Sequence, residues 1–317
     1  MKRSVLHFAS YQLILFAVSL TVWLYAPKSD HFEKHYYQGV FLNQEWLTKT
    51  RGLNRIVLLG GSSLGMGVSA EQISTKTGTV TFNLGVGAHF GYPKIWQMYK
   101  NLLVPGKDVI VLSPEYKLVT THDIHSDGYC DLIFLSQSAY GAIKNPTCVP
   151  RIFFVAYKDL YYWITNSNIG KSVYHSGAFN AYGDSALHYD LSHRELSYQN
   201  KGTWQVLTIE DIERYQKFVR ENISSKGFEV LYDPTVIPAT HCDDADDVLV
   251  DFQTRLSRLG LSKAIFSIED LCWNDDMFFD TPYHLLRSGV KRRSDRIVEL
   301  IKFWQERHQG LDTADEG

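Results

Sequence analysis

The sequence predicts an α/β fold built on a parallel sheet, preceded by a helix long enough to cross a membrane. Three observations carry this. Five short, continuous apolar runs alternate with helical patterns across residues 55–302. Those runs lack the polar alternation of half-exposed strands, as expected for strands covered by helices on both faces. An uncharged apolar stretch stands at the N-terminus. The composition agrees: 317 residues, 44% hydrophobic, 14% aromatic and 21% charged, are enough for one large or two small domains and too apolar for disorder. A net charge of −3, with no long basic run, argues against a nucleic-acid partner.

Taken in order, Lys2 and Arg3 precede Ser4–Ala26, which contains no formal charge. As a helix this stretch measures about 34 Å at about 1.5 Å per residue, enough for a bilayer core. The two cations favour a cytoplasmic N-terminus with everything after Pro27 outside. The expectation is a single-pass protein of the inner membrane, its main domain periplasmic or extracellular. A cleaved signal peptide is the rival, although Leu24 and Pro27 make a poor cleavage site, and a buried core helix remains open. Residues 27–50 read as a juxtamembrane segment, residues 51–306 as the main domain, and residues 307–317 as a disordered acidic tail.

Within the main domain "RIVLLG" (55–60) reads as the first strand. "SAEQISTKTG" follows as a helix, with Ser69 as cap, Gln72 three residues later and Gly78 as stop. "TVTFNLG" (79–85) is a second strand, and "YPKIWQMYKNLL" a helix with Pro93 in its first turn. "DVIVLSP" (108–114) is the third strand. A long aromatic and polar insertion, about 115–205, contains the helix-like "RIFFVAYKDLYYWI". Its tyrosines and histidines could stack on sugar rings or simply pack a lid. "TIEDIERYQKFVRENI" (208–223) is a helix, "FEVLYDP" (228–234) a fourth strand, "DDVLVDFQTRLSRLG" (246–260) a helix and "KAIFSIED" (263–270) a fifth strand. "RRSDRIVELIKFWQERH" closes the domain as a helix.

Four cysteines suit an exported chain and allow two disulfides in three connectivities. Cys130 with Cys148 and Cys242 with Cys272 is the preferred pairing, because each closes a short loop. Free buried thiols are the alternative. "HDIHSD" (122–127) and "HCDDADD" (241–247) lack an accepted ligand spacing and read as solvated loops, so no metal and no cofactor is expected.

The chemistry concentrates at two places. Ser62 and Ser63 follow the first strand on a glycine-rich turn, where a parallel sheet places its ligand site. A serine there needs a base oriented by a carboxylate. "FFDTPYHLLRSG" offers Asp280 four residues before His284, and Pro282 suggests a helix start that would put both on one face. Asp275 or Asp276 could replace Asp280.

These blocks resemble the SGNH, or GDSL-like, hydrolase superfamily, in particular its membrane-anchored Gly-Ser-Ser branch with the lipoteichoic-acid D-alanylation and exopolysaccharide acyl-modifying proteins. The likeness covers roughly 55–116 and 228–302. It implies a three-layer α/β/α, flavodoxin-like domain with a five-stranded parallel sheet. Gly61-Ser62-Ser63 aligns with the family's Gly-Asp-Ser, which implies Ser63 as nucleophile. "FNLGVGAHFG" aligns with the second block, so Asn83 and Gly85 match and the oxyanion and substrate contacts fall on Ser63, Asn83, Gly85, Gly87 and Ala88. Asp280, His284, Leu285 and Gly289 match the fifth block, implying His284 as base and Asp280 as its orienting carboxylate. "LSPEYK" replaces the family's third block and lacks its asparagine. The implied function is acyl-ester chemistry, O-acyl transfer or ester hydrolysis, on a cell-envelope or exported polysaccharide. An acylated glycan or acyl donor would be the substrate, and a multi-span membrane acyltransferase a partner. The alternative is a non-catalytic protein that binds a glycan or such an acyltransferase.

Overall fold

A computed structural model describes residues 2–87, 90–115, 127–194, 208–242, 254 and 267–312. In chain order the main elements are α1 (Lys2–Tyr25), α2 (Gln38–Lys49), β1 (Arg55–Gly60), α3 (Ala70–Thr77), β2 (Val80–Asn83), α4 (Tyr92–Tyr99) and β3 (Asp108–Ser113). There follow α5 (Asp127–Leu135), α6 (Ala139–Lys144), α7 (Val149–Ile164), α8 (Ile209–Asn222), β4 (Glu229–Tyr232), β5 (Ile237–Pro238), β6 (Cys272–Trp273) and α9 (Arg287–Asp312). The chain divides into two compact units: Met1–Gln38 with Asp123–Gly177, and Gly39–His122 with Ala178–Gly317.

The second unit carries the sheet. Its four described strands are all parallel, in the order β2-β1-β3-β4. β1 and β3 are buried along their whole length, which is why both read as unbroken apolar runs. Helices cover both faces. On one, Ile56, Leu58, Val109 and Val111 pack with Ile73 of α3 and Ile297 and Ile301 of α9. On the other, Phe82 stacks on Trp46 of α2 at 3.8 Å, and Trp96 of α4 meets Phe228 edge-on. Residues 39–50, expected beside a membrane, therefore belong to the sheet unit through α2. Arg55 and Asp108 pair inside it, fully buried, at 2.6 Å.

Local signals act as expected. Ser69 accepts from the N–H of Gln72, and Gly78 ends α3 in the left-handed region at φ 69. Thr208 and Asp211 close a capping box on α8. The fifth expected strand is different: residues 263–266 lie outside the described ones, and Ile268–Leu271 form a helical turn. Four strands in the main sheet, not five, are thus described, with a separate parallel pair of β5 and β6 beside them. The helix expected over 246–260 lies outside the described residues apart from residue 254. The expected tail is helical as far as Asp312, where α9 ends.

The first unit is helical. Phe16 of α1 meets Phe153 of α7 edge-on, and the Ser19 and Tyr157 hydroxyls lie 3.0 Å apart. Trp23 is buried and donates to the Phe134 carbonyl at 3.1 Å. Arg151 binds Asp131 through two hydrogen bonds of 2.9 and 3.0 Å. The insertion expected over 115–205 is thus split: residues 123–177 join the N-terminal segment, and residues from 178 onward join the sheet unit. Among the described residues no helix is long and apolar enough to cross a membrane, and the α1 side chains before Ser10 are not among those described.

Disulfides Cys130–Cys148 and Cys242–Cys272 are both present, one in each unit, and leave no free cysteine.

Candidate active site

The strand order places β1 centrally, with the chain crossing it from β2 to β3. The crevice at such a reversal, outside the carboxyl ends of the strands, is where α/β sheets bind ligands. Two segments meet there. Ser62–Gly65 form a single helical turn after β1, and Pro114 and Glu115 follow β3.

The two serines differ in exposure, and in the reverse of the sense the alignment implies. Ser62 is half-buried, with its Oγ 3.5 Å from Glu115 Oε1. Ser63 is completely buried; its Oγ lies 3.4 Å from the Thr235 hydroxyl, and its backbone N–H donates to Glu115 Oε1 at 2.6 Å. Thr235 in turn donates to the Pro114 carbonyl at 2.9 Å. Beneath the turn, Arg293 of α9 donates to the Ser63 carbonyl at 2.7 Å, to Asp233 at 3.0 Å, and to the Ser113 hydroxyl. Asp233 also accepts from Arg296 at 2.6 Å. A buried arginine fork thus fixes the backbone that carries the serines.

Burial pushes the Glu115 carboxyl up, while the Ser63 N–H and the charges of His284 and Arg293 oppose the rise. His284 Nδ1 lies 2.9 Å from Asp280 Oδ1, with the imidazole almost fully buried. With Nδ1–H donated to the carboxylate, Nε2 is the basic nitrogen. A helix does not make this pair. Residues 280–284 form a turn in which the Phe279 N–H donates to the His284 carbonyl at 2.8 Å, Phe278 bridges Leu285, and α9 starts only at Arg287. Asp275 is committed elsewhere, accepting from Thr240 at 2.6 and 3.2 Å.

His188 ties this turn to the serine segment. Its Nε2 lies 2.9 Å from the Met66 carbonyl and 3.1 Å from that of Leu285, so the N–H sits between two acceptors. The Leu285 N–H itself donates to the Met66 carbonyl at 3.1 Å. Burial, with the neighbouring His284, holds the His188 imidazole down to about 4.

The second block serves the scaffold. Asn83 is buried; its amide donates to the Leu64 carbonyl and to Asp184, and its oxygen accepts from the Gly85 N–H, all at 2.9 Å. Asp184 also accepts from the Ala70 N–H, and burial raises its carboxyl to about 6. At Gly85 a Cβ would lie 2.1 Å from the Gly65 nitrogen, so the backbones of the two segments touch. The Asn83 amide and Gly85 N–H are therefore engaged internally. Gly87 is half-buried at the segment's end, and Ala88 lies outside the described residues.

A buried histidine paired with a half-buried aspartate and docked against a serine turn can deliver a proton to and from a reacting hydroxyl. Sequence reasoning passed over Glu115, Asp233, His188 and Arg293. Glu115 and Asp233 left a signal, as acidic residues just after strands in "LSPEYK" and "FEVLYDP". Among the described residues no group of three or more His, Cys, Asp or Glu could hold a metal ion; of the two histidine–aspartate stretches, residues 122–126 and 243–247 lie outside them. No family model, curated protein or solved structure matches the chain.

Proposed function

We propose that the sheet unit is an SGNH-like domain performing acyl-ester chemistry on a cell-envelope or exported polysaccharide. The observation that carries this reading is the Asp280–His284 pair, held by the Leu285–Met66 hydrogen bond beside the serine turn. Ser62, the more exposed serine, attacks the acyl carbonyl as its proton passes to His284 Nε2. Asp280 stays ionised and orients the imidazole. The intermediate collapses, the departing sugar oxygen takes the proton back, and the acyl group rests on Ser62. A second hydroxyl then accepts it in transfer, or water in hydrolysis. The two disulfides, which suit an oxidising compartment, and the apolar α1 support a membrane-anchored protein facing away from the cytoplasm; a multi-span acyltransferase is its proposed partner.

A second reading has its own support. With the Ser63 and Gly85 N–H groups and the Asn83 amide already engaged, fewer oxyanion donors remain, which suits a non-catalytic glycan- or acyltransferase-binding protein. A fluorophosphonate probe on the full chain separates the two. Labelling lost in Ser62→Ala and His284→Ala, by several orders of magnitude in rate, but kept in Ser63→Ala supports the enzyme as drawn. The opposite serine pattern moves the nucleophile to Ser63. Folded protein that never labels supports the binding role.

A further inference from the structure

We infer that α6 and α7 of the helical unit rest on the surface of a bilayer containing anionic phospholipid. This goes beyond the serine chemistry and requires neither that chemistry nor a spanning α1.

A helix at a protein surface normally turns its polar side to water. On α7 apolar side chains face outward as well as inward. Phe154, Tyr161 and Ile164 are 60%, 63% and 67% exposed, and with Tyr157 they form one stripe at spacings of three and four. Ile152, Ala156 and the polar Asp159 are the buried positions. Trp163 is exposed beside the stripe, and Tyr140 and Ile143 of α6 are exposed by 70% and 76%.

The chemistry of the stripe favours a lipid surface over a protein groove. Cations lie over aromatic rings of both helices: Lys144 over the exposed Tyr140 at 5.5 Å and Arg151 over Phe154 of the stripe at 5.9 Å, with Lys158 over the half-buried Tyr162 beside the stripe at 5.5 Å. Tyrosine and tryptophan settle at the headgroup level of a bilayer, and lysine stems snorkel to its phosphates. Neither Lys144 nor Lys158 makes a salt bridge among the described residues, which leaves both charges for anionic headgroups. The stripe also continues an apolar surface. Exposed Leu13, Ile14 and Leu15 of α1 lead to Phe16, which packs on Phe153 of α7. The 16 residues of α7 extend about 24 Å at about 1.5 Å per residue, short of the roughly 30 Å hydrocarbon core, so α7 lies on the membrane and does not cross it.

All four cysteines are in disulfides, so one introduced cysteine takes a nitroxide label alone. The full chain is placed in phosphatidylcholine–phosphatidylglycerol nanodiscs with the label at Ile143→Cys, Tyr161→Cys or Ile164→Cys. A free water-soluble nitroxide is the aqueous control. Accessibility to oxygen relative to a water-soluble nickel chelate should be several-fold higher at the three test sites than for the free nitroxide. Control-like ratios at all three overturn the proposal. So does spin–spin broadening with low accessibility to both reagents, which assigns the stripe to a second copy. A label at Leu13→Cys reports α1 separately, so a failed anchor and a failed surface are distinguishable.

Discussion

Replacing Arg293 with methionine tests whether the fork beneath the serine turn holds that turn in place. Arg293 is completely buried and serves three acceptors: Asp233, the Ser63 carbonyl and the Ser113 hydroxyl. Methionine replaces the stem but none of the donors. Asp233 keeps Arg296 and Ser113 keeps Thr235, whereas the Ser63 carbonyl loses its arginine donor. Hydrogen bonds to charged groups contribute roughly 1.5–3 kcal/mol each, and breaking a buried pair by removing one partner costs about 3–5 kcal/mol. With Asp233 still paired, the expected loss sits near the lower end, about 3 kcal/mol. At about 2–4 °C per kcal/mol for a domain of this size, the midpoint should fall by about 6–12 °C. Circular dichroism during denaturant and thermal unfolding reads both quantities. Arg293→Lys should recover only part, because an ammonium cannot span three acceptors. Arg296→Met, in which Asp233 keeps its buried partner, should cost less. A loss below about 1 kcal/mol in Arg293→Met would refute the reasoning, since it would mean that the fork contributes no more than a single neutral hydrogen bond.

The His188 imidazole titrates near 4 when folded and near 6.5 when unfolded, so the unfolded chain binds the proton first. Its contribution is complete above pH 6.5 and is lost as the pH falls towards 4, by at most about 3 kcal/mol at about 1.4 kcal/mol per unit. His188→Gln should flatten the stability profile in that window, as measured by denaturant titrations at several pH values; an unchanged slope counts against a neutral buried His188. Removing Cys242–Cys272 by a double serine substitution should cost about 3 kcal/mol, the chain-entropy figure for a short loop, and unreduced, unfolded wild-type protein should show no thiol on titration. Gly85→Ala should cost about 3 kcal/mol or more in urea unfolding, because the new Cβ meets the Gly65 backbone and not a side chain that can rotate away.

By itself the sequence determined whatever depends on neighbours along the chain. The runs 55–60 and 108–113 are apolar on both faces and so become central parallel strands. Ser69, Gly78, Thr208 and Asp211 satisfy backbone groups within a few residues and so set helix ends where a reader of the sequence would put them. The cysteines paired across the shortest loops, as chain entropy favours. The tertiary structure decided what joins residues far apart in the chain. Which serine faces outward follows from the packing of Thr235, Glu115 and Arg293 around the turn, and Arg293 is 230 positions from Ser63. Asp280 meets His284 through a turn bridged by Phe278 and Leu285, not along a helix face, so the two side chains come together by a route their spacing does not reveal. Nor does spacing reveal that residues 123–177 join the N-terminal helix, because that association is made of contacts such as Ser19 with Tyr157 and Trp23 with Phe134. Periodicity reports which face of an element is apolar; only the folded chain supplies the partner that covers it, or, on α7, leaves it uncovered.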